Sequence, residues 1–453
     1  MSNRRYIMPL SEVKNHLHRR VNLLGVVVEF SIPRRTEGTD YCTILKIVDQ
    51  SQQSPELCVN VFTEHKHELP HIRSHRDFIL LSLVRIEPYE QEVCAVFNKH
   101  FSSFALFDGR LSHGFSPYQT FPTFCLLDYD KGFITRLRDW CVTFQFDAGL
   151  SRYVLSLKDM KAREYIDLVC KVLSVYEVSC DKWMLFVWDG TDAPPLSLNG
   201  KLEDEETKAL PLQIGEPLPG NILCKFPCVG TVLRVTADKA YEKLGHHFQS
   251  TGKWVRIRNL FCENEYGLWK GSLTRRTKVR LLSEDDNSVV DCQRNCAERM
   301  AQHGRVPLLS CHISNFLTVT DYEHVKFMTL MDLLTLEQAE GKFKCVVRLV
   351  AVYPSQIKDF RSPGGQYRIR MTIEDPTARI HALLCGEAAE MFFGGYPDFD
   401  ILATKMNKML GMPQCEDLPT NPPWTQCCIG FHSLNRADVL GSRHFHICNT
   451  RLV

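Results

Sequence analysis

The sequence predicts a mainly β protein with short helices, built from three small Greek-key β-barrels in tandem. The chain has 453 residues, enough for two to four domains at about 150 residues each. One pattern, an apolar strand followed by a second strand that ends in Asp and a turn, occurs three times. Each copy continues with more β-rich sequence, and about five strands with long connections are typical of a small closed barrel such as the OB-fold.

The strands of each copy follow from apolar runs and from alternation of apolar and polar residues. The first copy comprises 21–30, 43–50, 57–62 and 78–97. The second comprises 166–178, 183–198, 228–237 and 253–269, and the third comprises 343–354, 367–385, 424–434 and 443–452. Asp49, Asp189 and Asp375 anchor the first turn of each copy, because Asp with Gly or Pro favours tight turns. Helices are expected around 132–145, 292–303 and 387–410.

Domain boundaries follow from the stretches between the copies. We expect a first OB-fold over 1–150, a second over 151–290 and a C-terminal one over 310–453. The polar segment SEDDNSVVD (283–291) is interpreted as a linker. KLEDEETKALPLQIGEPLPG (201–220), acidic and proline-rich in parts, is interpreted as an internal loop of the second unit.

Composition narrows the class of protein. Hydrophobic residues make up 44% and charged residues 24% of the chain, which is ordinary globular composition. The N-terminus lacks the apolar core of a signal peptide, and no apolar run is long enough for a membrane span. The 19 cysteines are therefore expected to be reduced, in the nucleus or cytosol. The chain has 54 basic and 53 acidic residues, and this balance disfavours bulk electrostatic binding to duplex nucleic acid. Stacking of single-stranded bases depends on aromatic rings more than on net charge.

Catalytic and metal-binding signatures are weak or missing. The sequence contains no Walker A, G-x-S-x-G or H-E-x-x-H motif, so we expect no enzyme, no cofactor and no small-molecule substrate. Two groups of Cys and His could in principle bind zinc. Their spacings are not those of structural zinc sites, and we therefore expect no metal. The groups are Cys292, Cys296 and His303, and Cys427, Cys428, His444, His446 and Cys448.

These stretches carry a resemblance to a known family. GVVVEFSIPRRTEGTDYCTILKIVDQ (25–50), with LCVNVF and IEPYEQE after it, closely resembles the first OB-fold of protection-of-telomeres proteins. IDLVCKVLSVYEV with FVWDGT resembles their second OB-fold, and the end of the chain resembles their C-terminal one. FSSFALFDGR (101–110) and the compact C-terminal part look most like plant members.

The resemblance implies a function and a location. Members bind G-rich telomeric single-stranded DNA through the first two OB-folds, and their C-terminal domain binds telomere-capping or telomerase components. It therefore implies a protein of the nucleus and the telomere that protects chromosome ends and regulates telomerase access to the 3′ overhang, without a membrane partner.

Candidate DNA contacts in the first unit combine residue chemistry with family position. Phe62 ends a strand and is expected to stack on a base, although the pattern alone also allows it to pack the core. Tyr89 is a second candidate stacking ring, with a solvated loop residue as the alternative, and Arg85 lies on the same side of its strand. Asp40, beside Thr39, can accept hydrogen bonds from guanine, or the two can form a plain turn.

Further candidates lie around these. Arg34 and Arg35 are expected to contact phosphates, with Phe30 just ahead of their loop. In the second unit, the resemblance implies a base contact for Tyr165. The basic stretch 270–280 is either a solvated face or a strand that follows the DNA backbone; its candidates are Arg275, Arg276 and Lys278.

Departures from the animal pattern support a second hypothesis. Ser31, Glu37, Glu90 and Gln91 stand where animal members have lysines, and Glu29 replaces an aromatic residue. An accessory protein of telomerase, acting mainly through protein or RNA contacts with weakened DNA binding, is therefore the alternative. A general single-strand-binding protein of replication is a third.

The C-terminal unit lacks an evident set of stacking residues. AAEMFFGGYPDF (388–399) carries an aromatic cluster instead, composed of Met391, Phe392, Phe393 and Tyr396. We expect a protein-partner surface there, with closure of the barrel's own end as the alternative.

Overall fold

A computed structural model shows three β-barrels joined by short helices. It describes residues 5–89, 92–110, 114–144, 154–179, 182–196, 217–237, 251–265, 268–303, 317–321, 324–412 and 421–453. In chain order the strands β1–β22 are Ile7–Met8, Arg20–Ser31, Arg34–Arg35, Tyr41–Val48, Leu57–Thr63, Phe78–Tyr89, Glu92–Phe97, Ser103–Phe107, Gln119–Thr120, Glu164–Ser179, Lys182–Trp188, Leu233–Ala237, Trp254–Glu265, Leu268–Leu273, Lys278–Leu281, Thr318–Thr320, Glu340–Tyr353, Arg368–Glu374, Arg379–Cys385, Thr425–Ser433, Arg443–Cys448 and Thr450–Leu452. The helices α1–α6 are Asp130–Thr143, Gly220–Leu223, Asn287–His303, Leu330–Thr335, Gly386–Phe393 and Phe399–Met409.

All three barrels have the same strand order. Numbered within each barrel, the strands pair in the order 1-2-3-5-4 and close back on strand 1, with strands 3 and 5 parallel. The five strands are β2, β4, β5, β6 and β7 in the first barrel, β10 to β14 in the second, and β17 to β21 in the third. This is the five-stranded Greek-key order of the OB-fold, so the predicted fold class is confirmed.

One aspartate after strand 2 performs the same task in each barrel. One carboxylate oxygen accepts a hydrogen bond from the backbone of the helical turn that precedes strand 1, and the other accepts from the backbone two residues later. The first set of bonds joins Asp49 to Leu10, Asp189 to Leu157 and Asp375 to Leu330, at 2.9, 2.7 and 2.7 Å. The second joins the same aspartates to Ser51, Thr191 and Thr377, at 2.8, 2.8 and 2.7 Å. The turns predicted at these aspartates therefore also tie the leading segment of each barrel to its first hairpin.

Three hydrophobic cores fill the barrels, one in each. Because side chains alternate along a strand, the residues between the core positions face outward and form the surfaces discussed below. In β5, for example, Leu57, Val59 and Val61 are buried, whereas Cys58, Asn60 and Phe62 are half-buried on the other face.

The first two barrels share a continuous sheet. The short strand β15 pairs with β13 of the second barrel and with β2 of the first, where Lys278 lies opposite Ser31 and Val279 opposite Phe30. The order β5-β4-β2-β15-β13 therefore runs without a break from one barrel wall to the other. The Phe30 ring packs against both cores, so this joint is apolar inside as well as hydrogen-bonded along its edge.

The third barrel packs against the second. Arg348 of the third barrel donates hydrogen bonds to the carbonyl of Ala193, at 2.9 Å, and forms an ion pair with Glu374, at 2.5 Å. Trp424 of the third barrel donates to Asp192 at 3.3 Å. These contacts lie in a largely buried interface, so the second and third barrels form one packed unit.

Helix α3 belongs with the second barrel. Val289 is fully buried among Val169, Trp254 and Leu282, and Arg299 forms an ion pair with Asp192 at 2.6 Å. We therefore propose that the second unit extends to about residue 303, where the sequence-based boundary was 290. Residues 201–216 of the predicted loop 201–220 lie outside the described residues, and so do Glu90 and Gln91. In the part of the chain that the structure describes, the helices are too short or too polar to cross a membrane.

Candidate nucleic-acid interface

Phe62 lies on the outward face of the first barrel. Strand β5 places Val59 and Val61 in the core and turns the Phe62 ring to the opposite side, across from Cys42 of β4. The core-packing alternative is therefore not what the structure shows. In OB-folds the face of strands 2 and 3 holds oligonucleotides, and β4 and β5 are those strands here.

The loop between β2 and β4 carries the guanine-reading candidate. Residues 36–40 form a tight turn in which the Thr36 N–H donates to the Asp40 carbonyl at 2.9 Å. Lys99 donates a 2.8 Å hydrogen bond to the Asp40 carboxylate, and this bond lowers the pKa of Asp40. Thr39 also donates to Asp40, at 3.3 Å. Asp40 is thus a carboxylate at neutral pH, but one acceptor position already serves a lysine.

Arg34 and Arg35 form the short strand β3 beside this turn, opposite Cys42 and Tyr41. Arg35 is exposed and Arg34 half-buried. Neither has an ion-pair partner within the described residues, so both guanidinium groups are available to phosphate.

Tyr89 and Arg85 lie on the outward face of β6. The Tyr89 ring is 57% exposed at the end of the strand, where it pairs with Glu92 of β7. The Arg85 guanidinium forms a 2.6 Å ion pair with Glu87, which also accepts from His18 at 2.9 Å. Tyr89 is therefore open for stacking, whereas Arg85 is partly neutralised by a neighbour on its own strand.

The joint between the barrels contains a charged cluster. Glu29 is only 3% exposed and accepts a 2.7 Å hydrogen bond from Arg258 of the second barrel. Burial raises the pKa of Glu29, but the hydrogen bond and charge of Arg258 and the charge of Lys46 outweigh burial, so the pKa is lowered overall. Lys278 lies beside this pair, opposite Ser31 and Arg258, and burial lowers its pKa. The joint thus places Lys46, Lys278 and Arg258 beside Glu29 on the face that bears Phe62; Lys46 also pairs with Glu56 at 3.4 Å and Arg258 with Asp167 at 3.5 Å.

Two aromatic rings lie on the outer surface of the second barrel, on the other side of this joint. Tyr165 of β10 is 51% exposed and lies directly opposite Phe261 of β13, with ring centroids 5.1 Å apart. Arg275 and Arg276 are exposed in the turn between β14 and β15, next to Asn259, whose side chain donates to the Arg276 carbonyl. The structure therefore brings the second-unit candidates together near the joint.

The C-terminal cluster divides into two parts. Phe392 and Phe393 are buried in the core of the third barrel, so the expectation that they contact a partner is wrong: helix α5 turns both rings inward to close the barrel end. Met391 and Tyr396 remain 42% and 49% exposed. Tyr396 stacks on Tyr367 at 5.3 Å and hydrogen-bonds Glu390, with Arg361 against the same rings.

The structure describes the candidate zinc ligands except the side chain of His303. Within the described residues, no three His, Cys, Asp or Glu side chains are positioned to hold an ion. Cys428 and Cys448 lie opposite each other with sulfur atoms 3.7 Å apart, while His444 and His446 stack near His432 on the outer surface. Cys292 contacts the second barrel through the Val169 carbonyl.

Three residues of this face were missed by the sequence analysis. Lys99 was missed because only the fold brings it to Asp40, 59 residues earlier. Arg258 was missed because its partner Glu29 is 229 residues away. Phe261 was missed because alternation from Val255 and Ile257 would place it in the core, whereas a register shift before Leu260 turns it outward.

Comparisons with known proteins show which proteins the chain is similar to. Three family models match successive parts of the chain: "Telomeric single stranded DNA binding POT1/CDC13" over 2–148, "ssDNA-binding domain of telomere protection protein" over 156–215, and "POT1A-like, OB fold domain" over 313–438. A solved structure titled "Crystal structure of fission yeast Pot1 and ssDNA" aligns with 62% of this chain and 88% of that chain, at 15% identity and a TM-score of 0.25.

Two curated relatives come from Arabidopsis thaliana. Protection of telomeres protein 1b is 37% identical, over 96% of this chain and 94% of that protein. Protection of telomeres protein 1a is 33% identical, over the full length of both. Similarity of this strength along whole chains confirms the resemblance seen in the sequence. The chain belongs to the protection of telomeres family.

Proposed function

We propose that this protein binds single-stranded, G-rich telomeric DNA through its first two barrels, protects the chromosome end and controls telomerase access to the 3′ overhang. It acts in the nucleus, at the telomere, as a binding protein without catalytic activity. Family membership supports the class of ligand, and the outward face described above supports the mode of binding.

The observation that carries this proposal is the unbroken sheet across the joint. Asn60, Ile44, Ser31, Lys278 and Arg258 follow one another on neighbouring strands from the first barrel to the second. Four strand spacings of about 4.8 Å separate β5 from β13, so the face is roughly 20 Å wide. Stacking rings stand at both ends, with cations between them, which is the combination that single-stranded nucleic acids need.

Titration with telomeric and scrambled single strands tests the proposal. The full chain should bind the telomeric strand much more tightly, and the preference should persist as salt is raised, because base contacts depend less on salt than phosphate contacts do. Equal affinity for both strands would instead indicate a general single-strand-binding protein.

A second candidate function is that of a telomerase accessory protein that acts mainly through protein or RNA contacts. The favouring observation is that several cations of the face already have acidic partners: Arg85 with Glu87, Lys99 with Asp40 and Arg258 with Glu29. Absence of telomeric DNA binding, together with co-purification of telomerase components, would support this candidate over the first.

A further inference from the structure

The two nucleic-acid barrels differ in which wall is open. In the first, the outward face of strands 2 and 3 bears the half-buried Phe62 and Asn60. In the second, the same face belongs to β11 and β12, and its central ring, Phe186, is completely buried. Any nucleic acid that reached Phe186 would first have to displace the residues that cover it.

The cover is the chain segment 217–232. Leu218, Ile222 and Val232 pack on Phe186 and are themselves buried. The Phe226 ring adds a tilted contact, with its centroid 5.0 Å from that of Phe186. Helix α2 thus lies across the wall on which an OB-fold ordinarily holds its oligonucleotide.

The third barrel closes this wall further. Arg234 of β12, opposite Phe186, is 6% exposed and donates a 2.9 Å hydrogen bond to the Thr377 carbonyl of the third barrel. Leu223 of α2 packs both against the core of the third barrel and against the Phe186 cluster. Opening the wall would therefore break contacts between barrels as well as the cover itself.

The wall formed by β10 and β13 is covered by α3 at Val169 and Trp254, whereas its other end is open and carries the Tyr165–Phe261 pair. The register shift at Asn259, between the core residues Ile257 and Leu260, puts Phe261 on the same outward face as Arg258, so the pair continues the face that crosses the joint. The exposed Arg275 and Arg276 lie beside it, near the short strand of Arg34 and Arg35 in the first barrel, since Lys278 pairs with Ser31.

Several acidic residues lie near the two rings, and two of them form ion pairs with basic side chains. Glu263 and Glu265 lie farther from the joint along β13, and Glu265 is paired with Lys270 at 3.0 Å. The nearer carboxylate, Asp167, is buried and bonded to Arg256 at 2.9 Å. Asp167 and Glu265 are thus ion-paired, whereas Glu263 accepts only from the Ser272 hydroxyl, at 3.5 Å, and Glu164 beside Tyr165 is exposed.

We propose that Tyr165 and Phe261 together form the base-stacking platform of the second barrel, and that its β11–β12 wall takes no part in DNA binding. The inference rests on the proposed function and adds Phe261 as a contact residue. Two rings at an interplanar angle of 48° cannot both lie flat against one base, so the platform receives two successive bases, one on each ring.

Two lengths of telomeric oligonucleotide separate this inference from the proposed function. A short strand of about 6 nucleotides occupies the first barrel, and one of about 12 reaches the second. In the full chain, Phe261→Ala should weaken binding of the long strand by roughly 5- to 100-fold and leave the short strand unaffected. Phe62→Ala should weaken both.

Phe226→Ala is the matched control, because it removes a half-buried ring from the closed wall of the same barrel. We expect unchanged affinity for both strands. If Phe226→Ala lowers affinity for the long strand while Phe261→Ala does not, the platform lies on β11–β12 and the inference is overturned. If the unmodified chain binds neither strand, the proposed function fails and the inference fails with it.

Photo-crosslinking supplies a readout that does not depend on folding of the variants. A long strand with 5-iodouracil in place of single thymines should form adducts on peptides that contain Tyr165 or Phe261. Adducts on Phe186 or Phe226 would show that the cover opens and would overturn the inference.

Discussion

Arg258 of the second barrel donates a 2.7 Å hydrogen bond to Glu29 of the first. This bond stabilises the joint in which β15 of the second barrel pairs with β2 of the first. Removing either partner should therefore loosen the joint. Arg258→Ala leaves Glu29 buried without its main donor, and we expect a loss of about 1–3 kcal/mol in the free energy of unfolding, toward the lower value because Arg258 is 35% exposed. Denaturant titration measures it, with Arg85→Ala, whose ion pair is exposed, as a control expected to change stability by less than about 1 kcal/mol.

The same pair predicts a dependence of stability on pH. The pKa of Glu29 is lower in the folded protein than its ordinary value of 4.5, so its stabilising effect is full above that value and is lost as pH falls through the folded pKa. The difference in unfolding free energy between the protein and Glu29→Gln should therefore shrink below about pH 4.5. A difference that is constant from pH 7 to pH 3 would contradict this role of the carboxylate.

Phe62 should affect binding far more than stability. Because its ring faces outward, Phe62→Ala should weaken binding of a telomeric strand by about 1–3 kcal/mol, the usual loss of one stacked base. Val61→Ala, one residue earlier and fully buried, should show the reverse: lower stability with nearly unchanged affinity of the folded protein. Affinity titration and thermal unfolding of both variants check the pair, and loss of affinity only in Val61→Ala would refute the assignment.

Glu87 should restrain the contribution of Arg85 to phosphate binding. Glu87→Gln frees the guanidinium, and we expect affinity for single-stranded DNA to rise by a few-fold, equivalent to about 0.3–1 kcal/mol. The slope of log affinity against log salt should become steeper by about 0.7, the value for one additional phosphate contact on a single strand. Identical salt slopes for Glu87→Gln, Arg85→Ala and the unmodified chain would show that Arg85 does not contact DNA.

Met391 and Tyr396 are the remaining candidates for a protein-partner surface. Met391→Glu and Tyr396→Glu should abolish co-purification with telomere or telomerase components and leave oligonucleotide binding intact, because both side chains are exposed on the third barrel. Phe392→Glu, which buries a charge in the core, serves as the destabilised comparison. If oligonucleotide affinity falls while the fold persists, this cluster belongs to the nucleic-acid interface.

The proposed end of the second unit is tested with two fragments. Since Val289 is buried against the second barrel and Arg299 pairs with Asp192, a fragment of residues 1–303 should be more stable than one of residues 1–290 by about 2–5 kcal/mol. Denaturant titration of the two fragments measures the difference. Equal stability would restore the boundary at 290.

The barrels were predictable because their signals are local. The alternation that places Phe62 outward and Val61 inward is visible in LCVNVF, and the turns at Asp49, Asp189 and Asp375 are visible as Asp followed two residues later by Ser or Thr. The joint was not predictable, because β2, which β15 joins in the first barrel, and Glu29, the partner of Arg258, are both more than 200 residues away in the sequence. A short strand or an arginine in the sequence does not indicate which distant residue it will pair with. Burial of Phe392 and Phe393 was missed for a related reason: an aromatic pair beside glycines fits a barrel end and an interface equally well.

The strand β15 has a further consequence for how telomeric repeats are read. Because it hydrogen-bonds to β2 and β13 at once, we expect the two proposed stacking sites to behave as a bivalent receptor with a fixed separation. Once the first site is occupied, the second sees the same strand at a high effective concentration, but only in the frame that matches the fixed separation. Inserting a single nucleotide between the two contacted segments should therefore remove this avidity without altering either contact, and we expect the protein to distinguish the phase of the repeat as well as its composition.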